Sequence, residues 1–83
     1  MNNKILVTVY VPFLNEKYDV FIPINKKIGT IKSIIISTIS DIYGYSFLYT
    51  KFRLYEKSNC TLLDNNAYVN VSNISNGSEL ILI

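Results

Sequence analysis

Histidine is missing altogether from this sequence, tryptophan is missing too, and cysteine occurs once, at Cys60. Without histidine the chain lacks the usual general base at neutral pH, the commonest zinc ligand and the partner that would activate a cysteine. A lone cysteine excludes an internal disulfide and fits a reducing, cytoplasmic setting. Cys60 reads either as a packing residue or, with Lys57 close by in sequence, as a mildly reactive thiol. Charge is also sparse, at 17% of residues with a net charge of +2. That balance excludes the strong basic footprint of a nucleic-acid or membrane-surface specialist. The carboxylates Glu16, Asp19, Asp41, Glu56, Asp64 and Glu79 are scattered and form no close pair for acid–base work or metal binding. Glycine is confined to Gly29, Gly44 and Gly77, so no phosphate-cradling loop exists. No stretch approaches the roughly 20 apolar residues of a membrane-spanning helix. The apolar run after Lys4 is interrupted by Thr8 and Tyr10 and stopped by Pro12, with no cleavage site behind it, unlike a secretory signal. These absences predict a protein that is not an enzyme, holds no cofactor or metal and does not insert into membranes.

Apolar material is plentiful by contrast, at 49% of the 83 residues. It is enough for one core, and residues 1–83 read as a single domain near the lower size limit for folding without staples. Ile5, Val7, Val9 and Val11 alternate with Lys4, Thr8 and Tyr10, the period-two signature of a half-buried strand. After a short turn through Pro12 and Phe13–Lys17, a second strand places Tyr18, Val20 and Ile22 inward and Asp19 and Phe21 outward. The short connection predicts an antiparallel hairpin, and Pro23 ends it for want of an N–H.

The period then changes. Ile28, Ile31, Ile35, Ile39 and Ile42 recur at intervals of three and four, predicting a helix over about Lys27–Tyr43. Asn25 or Thr30 is expected to cap its start and Gly44 its end, while Ile36 is expected to point away from the stripe. Beyond a connection from Tyr45 to Thr50, Lys51–Tyr55 alternates as a strand and Thr61–Leu63 forms a short one before a turn at Asp64–Asn66. Val69, Val71 and Ile74 pin a polar stretch, Asn76–Gly77 is a turn signal, and Leu80 and Leu82 face inward on the closing strand.

The order ββαβ(β)β, with one helix across a mixed sheet of four to five strands, resembles the ubiquitin-like β-grasp, an α+β fold. Arg53–Leu54–Tyr55 is similar to the start of ubiquitin's third strand, and Leu63, Val69, Ile74 and Leu80 fall at the spacing of its later core positions. Closer still is the YukD/EsaB family, the small ubiquitin-like proteins of type VII secretion systems. Tyr18–Asp19–Val20–x–Ile22–Pro23 resembles that family's second strand, Ile28–x–x–Ile31 the start of its helix, and Ile74–x–x–Gly77–x–x–Leu80 its terminal turn. Ser78 departs from the pattern, standing where an aspartate is usual, and Tyr43–Thr50 carries no family signature. The sequence ends at Ile83 with no diglycine, as members of that family do, so conjugation in the manner of ubiquitin is not expected. The resemblance implies a non-catalytic, bacterial, cytoplasmic accessory or regulatory protein that docks on protein partners, including the secretion ATPase or membrane subunits.

Strand alternation supplies a candidate contact face. If Leu80 and Leu82 point inward, Ile81 and Ile83 point outward, and in a β-grasp they neighbour Tyr55, with Phe13 at the tip of the first hairpin near one end. By resemblance this is the face with which ubiquitin binds most of its partners. Tyr55, Ile81, Ile83 and Phe13 are therefore the candidate interaction residues, with Ile36 a weaker second surface. Two other readings stay open. One is a modifier processed from a longer form. The other is a weak single-stranded nucleic-acid binder stacking bases on Lys51–Phe52–Arg53–Leu54–Tyr55. A homodimer in which the closing strand serves as an edge is also compatible with the pattern.

Overall fold

The computed structural model describes residues 3–44 and 51–83; the Tyr45–Thr50 connection lies outside them. The alternating N-terminal segment forms β1 (Lys4–Val11), which turns through a short 3-10 segment, Pro12–Leu14, into β2 (Glu16–Pro23). Asn15 makes the reversal with a left-handed backbone (φ 52), a conformation that asparagine tolerates better than most residues. The two strands pair antiparallel from Lys4↔Pro23 to Val11↔Glu16. Helix α1 (Ile28–Tyr43) follows, then β3 (Leu54–Glu56), β4 (Thr61–Leu62) and β5 (Glu79–Leu82). Among the described residues the strands make one mixed sheet in the order β2-β1-β5-β3-β4, with β5 parallel to β1 and antiparallel to β3, so the closing strand, expected as a candidate dimerisation edge, is paired on both sides and is not an edge. The expected strand at Lys51–Tyr55 starts later than predicted, and Lys51 sits in a helical turn. Arg53 still exchanges both backbone hydrogen bonds with Ile83, at 2.7 and 2.9 Å, so pairing reaches one residue beyond β3.

One face of the sheet is covered by α1. Val7, Val9 and Val11 of β1, Ile22 of β2, Leu54 of β3, Leu80 and Leu82 of β5, and Ile28, Ile31, Ile35, Ile36 and Ile39 of α1 build a common core with Leu63, Val69 and Ile74. Two helix expectations are corrected. Ile36 is 1% exposed rather than pointing away, and Ile42 is 60% exposed rather than part of the buried stripe. The helix buries a face wider than one row, because it lies between β2 on one flank and Phe52 and Leu82 on the other; Ile36 fills the second flank. Ile42, in the last turn, reaches only the rim beside β2. Ile36 therefore offers no surface. Lys32 is buried within the same wide face, and its Nζ donates to the Phe52 carbonyl at 3.1 Å while its stem packs.

Neither Asn25 nor Thr30 caps α1; the N-cap is Lys27, with no side-chain bond. The first helical N–H groups are instead satisfied by the backbone of a distant loop: Ile28 N–H donates to Ala67 O at 2.8 Å and Gly29 N–H to Asn65 O at 2.9 Å. That approach explains Gly29, since a Cβ there would lie 3.1 Å from Asn65 O. At the other end Gly44 adopts the left-handed C-cap (φ 71), its N–H donating to Ser40 O.

Glu56, the one buried carboxylate among the described residues, faces the core side at the end of β3. It accepts hydrogen bonds from Ser58 Oγ, 2.8 Å to each carboxylate oxygen, and from the Asn59 N–H at 3.0 Å, tying down the β3–β4 turn. These bonds, Ser58 foremost and then the Asn59 N–H, hold its pKa below the ordinary value against the opposing effect of desolvation. The stabilisation from Glu56 is thus complete above the unfolded-state pKa of about 4.3 and disappears as pH falls through the lower folded value.

Two measurements check this core. Ile36→Ala is expected to cost about 2–5 kcal/mol in denaturant unfolding, whereas Ile34→Ala, at a position 52% exposed, stays within about 0.5–1 kcal/mol; equal losses would contradict the corrected helix orientation. Glu56→Gln should lower stability at neutral pH, with the deficit shrinking toward zero as pH is lowered below about 4.3. A deficit constant with pH would show that the carboxylate charge contributes nothing.

Candidate protein-interaction face

The face of the sheet opposite α1 is assembled by strand register. Tyr10 of β1 pairs with Lys17 of β2 on one side and with Ile81 of β5 on the other; Ile81 pairs with Tyr55 of β3, and Tyr55 with Leu62 of β4. Opposite residues in a ladder point to the same side, so Lys17, Tyr10, Ile81, Tyr55 and Leu62 form one row spanning all five strands. Tyr10, Ile81 and Tyr55 are half-buried by one another, while Leu62 is 51% exposed at the end of the row. The Lys17 ammonium lies 6.0 Å from the Tyr10 ring centroid, a cation–π contact that closes the other end. Ile83, 58% exposed, lies beside Arg53 and extends the apolar surface past the row.

The adjacent row is polar. Thr8 Oγ1 donates to Asp19 Oδ1 at 2.8 Å, and Lys57 Nζ meets Glu79 Oε2 at 2.8 Å. The Lys57 hydrogen bond, followed by its charge, lowers the Glu79 pKa, and Glu79 raises that of Lys57 in the same way. Both side chains are about half exposed, so solvent screening leaves the pair worth little to stability. The result is an aromatic and aliphatic band bordered by a charged rim.

Of the four candidate residues, the structure brings Tyr55 and Ile81 into direct cross-strand contact and sets Ile83 at one end of the same face. Phe13, 68% exposed, sits elsewhere: it lines a shallow hollow with Val11, Ile36, Phe52 and Leu82, on the helix side of the sheet. Tyr10 and Leu62 were missed as members of the band. Tyr10 was legible as an outward residue of the first strand, but its adjacency to Ile81 depends on a pairing between the two ends of the chain.

A second apolar surface was also missed. Between α1 and β2 runs a groove of about 280 Å³ whose walls include Tyr18, Val20, Ile22, Ile34, Ile35 and Ile42. At its end Tyr18 Oη donates to Tyr43 Oη at 3.0 Å, bridging strand and helix. Desolvation, then this hydrogen bond, push the Tyr18 pKa up to about 12. Chemistry-bearing clusters contribute nothing comparable: among the described residues no group of three or more Cys, Asp or Glu is placed to hold a metal ion. Cys60 is exposed in the β3–β4 turn with a left-handed backbone (φ 51). No helix of the described residues is long and apolar enough to cross a membrane.

Comparison with known proteins gives no family model and no curated protein that matches the chain. Solved structures do match. The ubiquitin-like domain of an Arabidopsis thaliana protein superposes with a TM-score of 0.76 at 20% identity, over 99% of this chain and 78% of that one. The fold is a ubiquitin-like β-grasp. A domain described under molecular mimicry of SUMO in DNA repair matches at TM-score 0.75 and 16% identity, covering 100% of this chain and 94% of its own. A chain of an ESX-5 inner membrane complex matches at TM-score 0.76 and 11% identity, over 99% of this chain and 21% of its own length. At these identities the matches establish the β-grasp architecture alone.

Proposed function

We propose that this β-grasp domain is a non-catalytic protein-interaction module that docks through the outer face of its sheet, on Tyr55, Ile81 and Ile83 together with Tyr10 and Leu62. The observation that carries the proposal is the continuous apolar and aromatic row across β1, β5, β3 and β4, ended by Lys17 on β2 and bordered by paired charges. A band of half-buried tyrosine and isoleucine inside a polar rim has the anatomy of a docking site, with aromatic anchors at the centre and charge at the edge. Phe13 adds a separate exposed contact on the helix side, at the end of the first hairpin.

The partner is a cytosolic part of a type VII secretion machine, its ATPase or a membrane subunit, and the protein acts as an accessory or regulatory component in the cytoplasm. Support for this partner comes from the YukD/EsaB-like motifs Tyr18–Pro23, Ile28–Ile31 and Ile74–Leu80, and from the fold shared with a chain of the ESX-5 inner membrane complex.

Tyr55→Glu and Ile81→Ser each place a polar group in the middle of the band, and each should weaken capture of the secretion subunits by at least about tenfold. Phe13→Ala, outside the band, should change it less. Co-purification of tagged protein from its native host, with bound secretion subunits quantified by mass spectrometry, checks the expectation. Unchanged capture by both band variants, with their fold intact by circular dichroism, would remove the outer face from the proposal; wild type capturing no secretion subunit would remove the partner.

A further inference from the structure

The two edges of the sheet are unequal. β4 offers two residues, whereas β2 offers eight with no bulge and reaches Pro23 before any residue interrupts it. Natural sheets normally blunt such an edge.

The hydrogen-bond pattern shows which groups that edge leaves open. In β1, Thr8 N–H donates to Ser78 O at 3.0 Å and Leu6 O accepts from Gly77 N–H at 2.7 Å, so the even-numbered residues of β1 turn their amides toward β5. The odd-numbered residues face β2; consistently, Ile24 N–H donates to Asn3 O at 2.8 Å as the ladder continues. By alternation, Val20, Tyr18 and Glu16 bond to β1, while the N–H and C=O groups of Lys17, Asp19 and Phe21 point to the edge that no strand among the described residues covers. Alongside that edge lies the α1–β2 groove, with Phe21, Ile34 and Ile42 exposed at 64%, 52% and 60% around it.

We propose that β2 is the seam of a two-fold homodimer, pairing antiparallel with β2 of a second copy about an axis at Tyr18. The charges select this register. Three registers engage at least two of the three outward-facing amides of each copy. With the axis at Asp19, that carboxylate faces its own copy, and like charges directly opposite are destabilising. With the axis at Val20, Asp19 faces Phe21 and Lys17 faces Pro23. With the axis at Tyr18, Lys17 of each copy stands opposite Asp19 of the other, on the outer face, twice per dimer. The two Tyr18 rings meet on the helix side, each already held by its own Tyr43, and the rim of the groove is covered. Glu16 then lies across from Val20, at the solvent-facing mouth.

The dimer joins two five-stranded sheets into one and places both Tyr10–Ile81–Tyr55 bands on the same side. This goes beyond the docking role proposed above; its tests read self-association rather than partner capture, and Asp19→Lys and Asp19→Pro leave the whole Lys17–Tyr10–Ile81–Tyr55–Leu62 row unaltered, so the two readings fail separately. Sedimentation equilibrium should show a concentration-dependent dimer, and amide exchange of Lys17 and Asp19 should slow as concentration rises. Lys17→Asp and Asp19→Lys should each weaken self-association roughly tenfold or more. An equimolar mixture of those two variants should form a one-to-one heterodimer, and the double swap should restore the homodimer. Asp19→Pro removes an N–H that faces solvent in the monomer, so it should keep the fold by circular dichroism and abolish the dimer. A protein monomeric at every concentration, or a dimer that survives Asp19→Pro, overturns the proposal. So does a monomer whose Lys17 and Asp19 amides are protected only by an added extended aliphatic peptide, which would give the edge to a foreign strand.

Discussion

The single core and the apolar band on the outer face both depend on β5 lying between β1 and β3. The last strand must find the first one across nearly the whole chain, and the Asn76–Gly77 turn prepares that meeting. Leu6 N–H donates to Asn76 Oδ1 at 2.7 Å, Gly77 N–H donates to Leu6 O at 2.7 Å, and Thr8 N–H donates to Ser78 O at 3.0 Å. Gly77 makes this possible with a φ of 91, a region that residues with a Cβ rarely adopt. A parallel pairing between distant segments recovers its loop-closure entropy only after both strands are in place. The contacts that β5 brings, Leu80 and Leu82 under the helix, supply the compensating burial.

The helix depends on the same kind of distant support. A segment this rich in isoleucine is a modest helix former, because β-branched side chains lose rotamer freedom against the preceding turn. No side chain caps its start. The backbone of residues 65–70 does so instead, reaching Gly29 and Ile28 and pairing further with Lys26 and Ile24. Packing of a wide isoleucine face onto the sheet outweighs intrinsic preference. The same width lets α1 bury Ile36 and Lys32 on one flank while leaving Ile34 and Ile42 at the groove on the other.

Those asymmetries underlie both proposals, which assign recognition to the outer face and to the edge of β2. The outer face uses side chains: tyrosine and isoleucine held in register by four neighbouring ladders. In the proposed dimer the edge uses main chain, the amides of Lys17, Asp19 and Phe21, with charges two residues apart as the discriminating element. Lys17 belongs to both, ending the aromatic row at Tyr10 and beginning the edge.

Local features were set by the chain itself. The alternation in Lys4–Val11 and Tyr18–Ile22, the threefold and fourfold isoleucine spacing, and the turns at Asp64–Asn66 and Asn76–Gly77 each encode their element. Period, turn chemistry and proline placement act over a few residues. That sufficed for the element order, most of the core and the outward direction of Tyr55 and Ile81. Tertiary structure decided what depends on contacts between distant segments. It buried Ile36 and exposed Ile42, because a helix face is wet or dry according to what lies beneath it, not its periodicity alone. It capped α1 with a remote loop, gave Glu56 its hydrogen-bonded turn, and put Phe13 on the helix side of the sheet. It also made Tyr10 a neighbour of Ile81 and shaped the groove beside β2. Strand order is a global property of the packed sheet, and both proposed surfaces are consequences of that order.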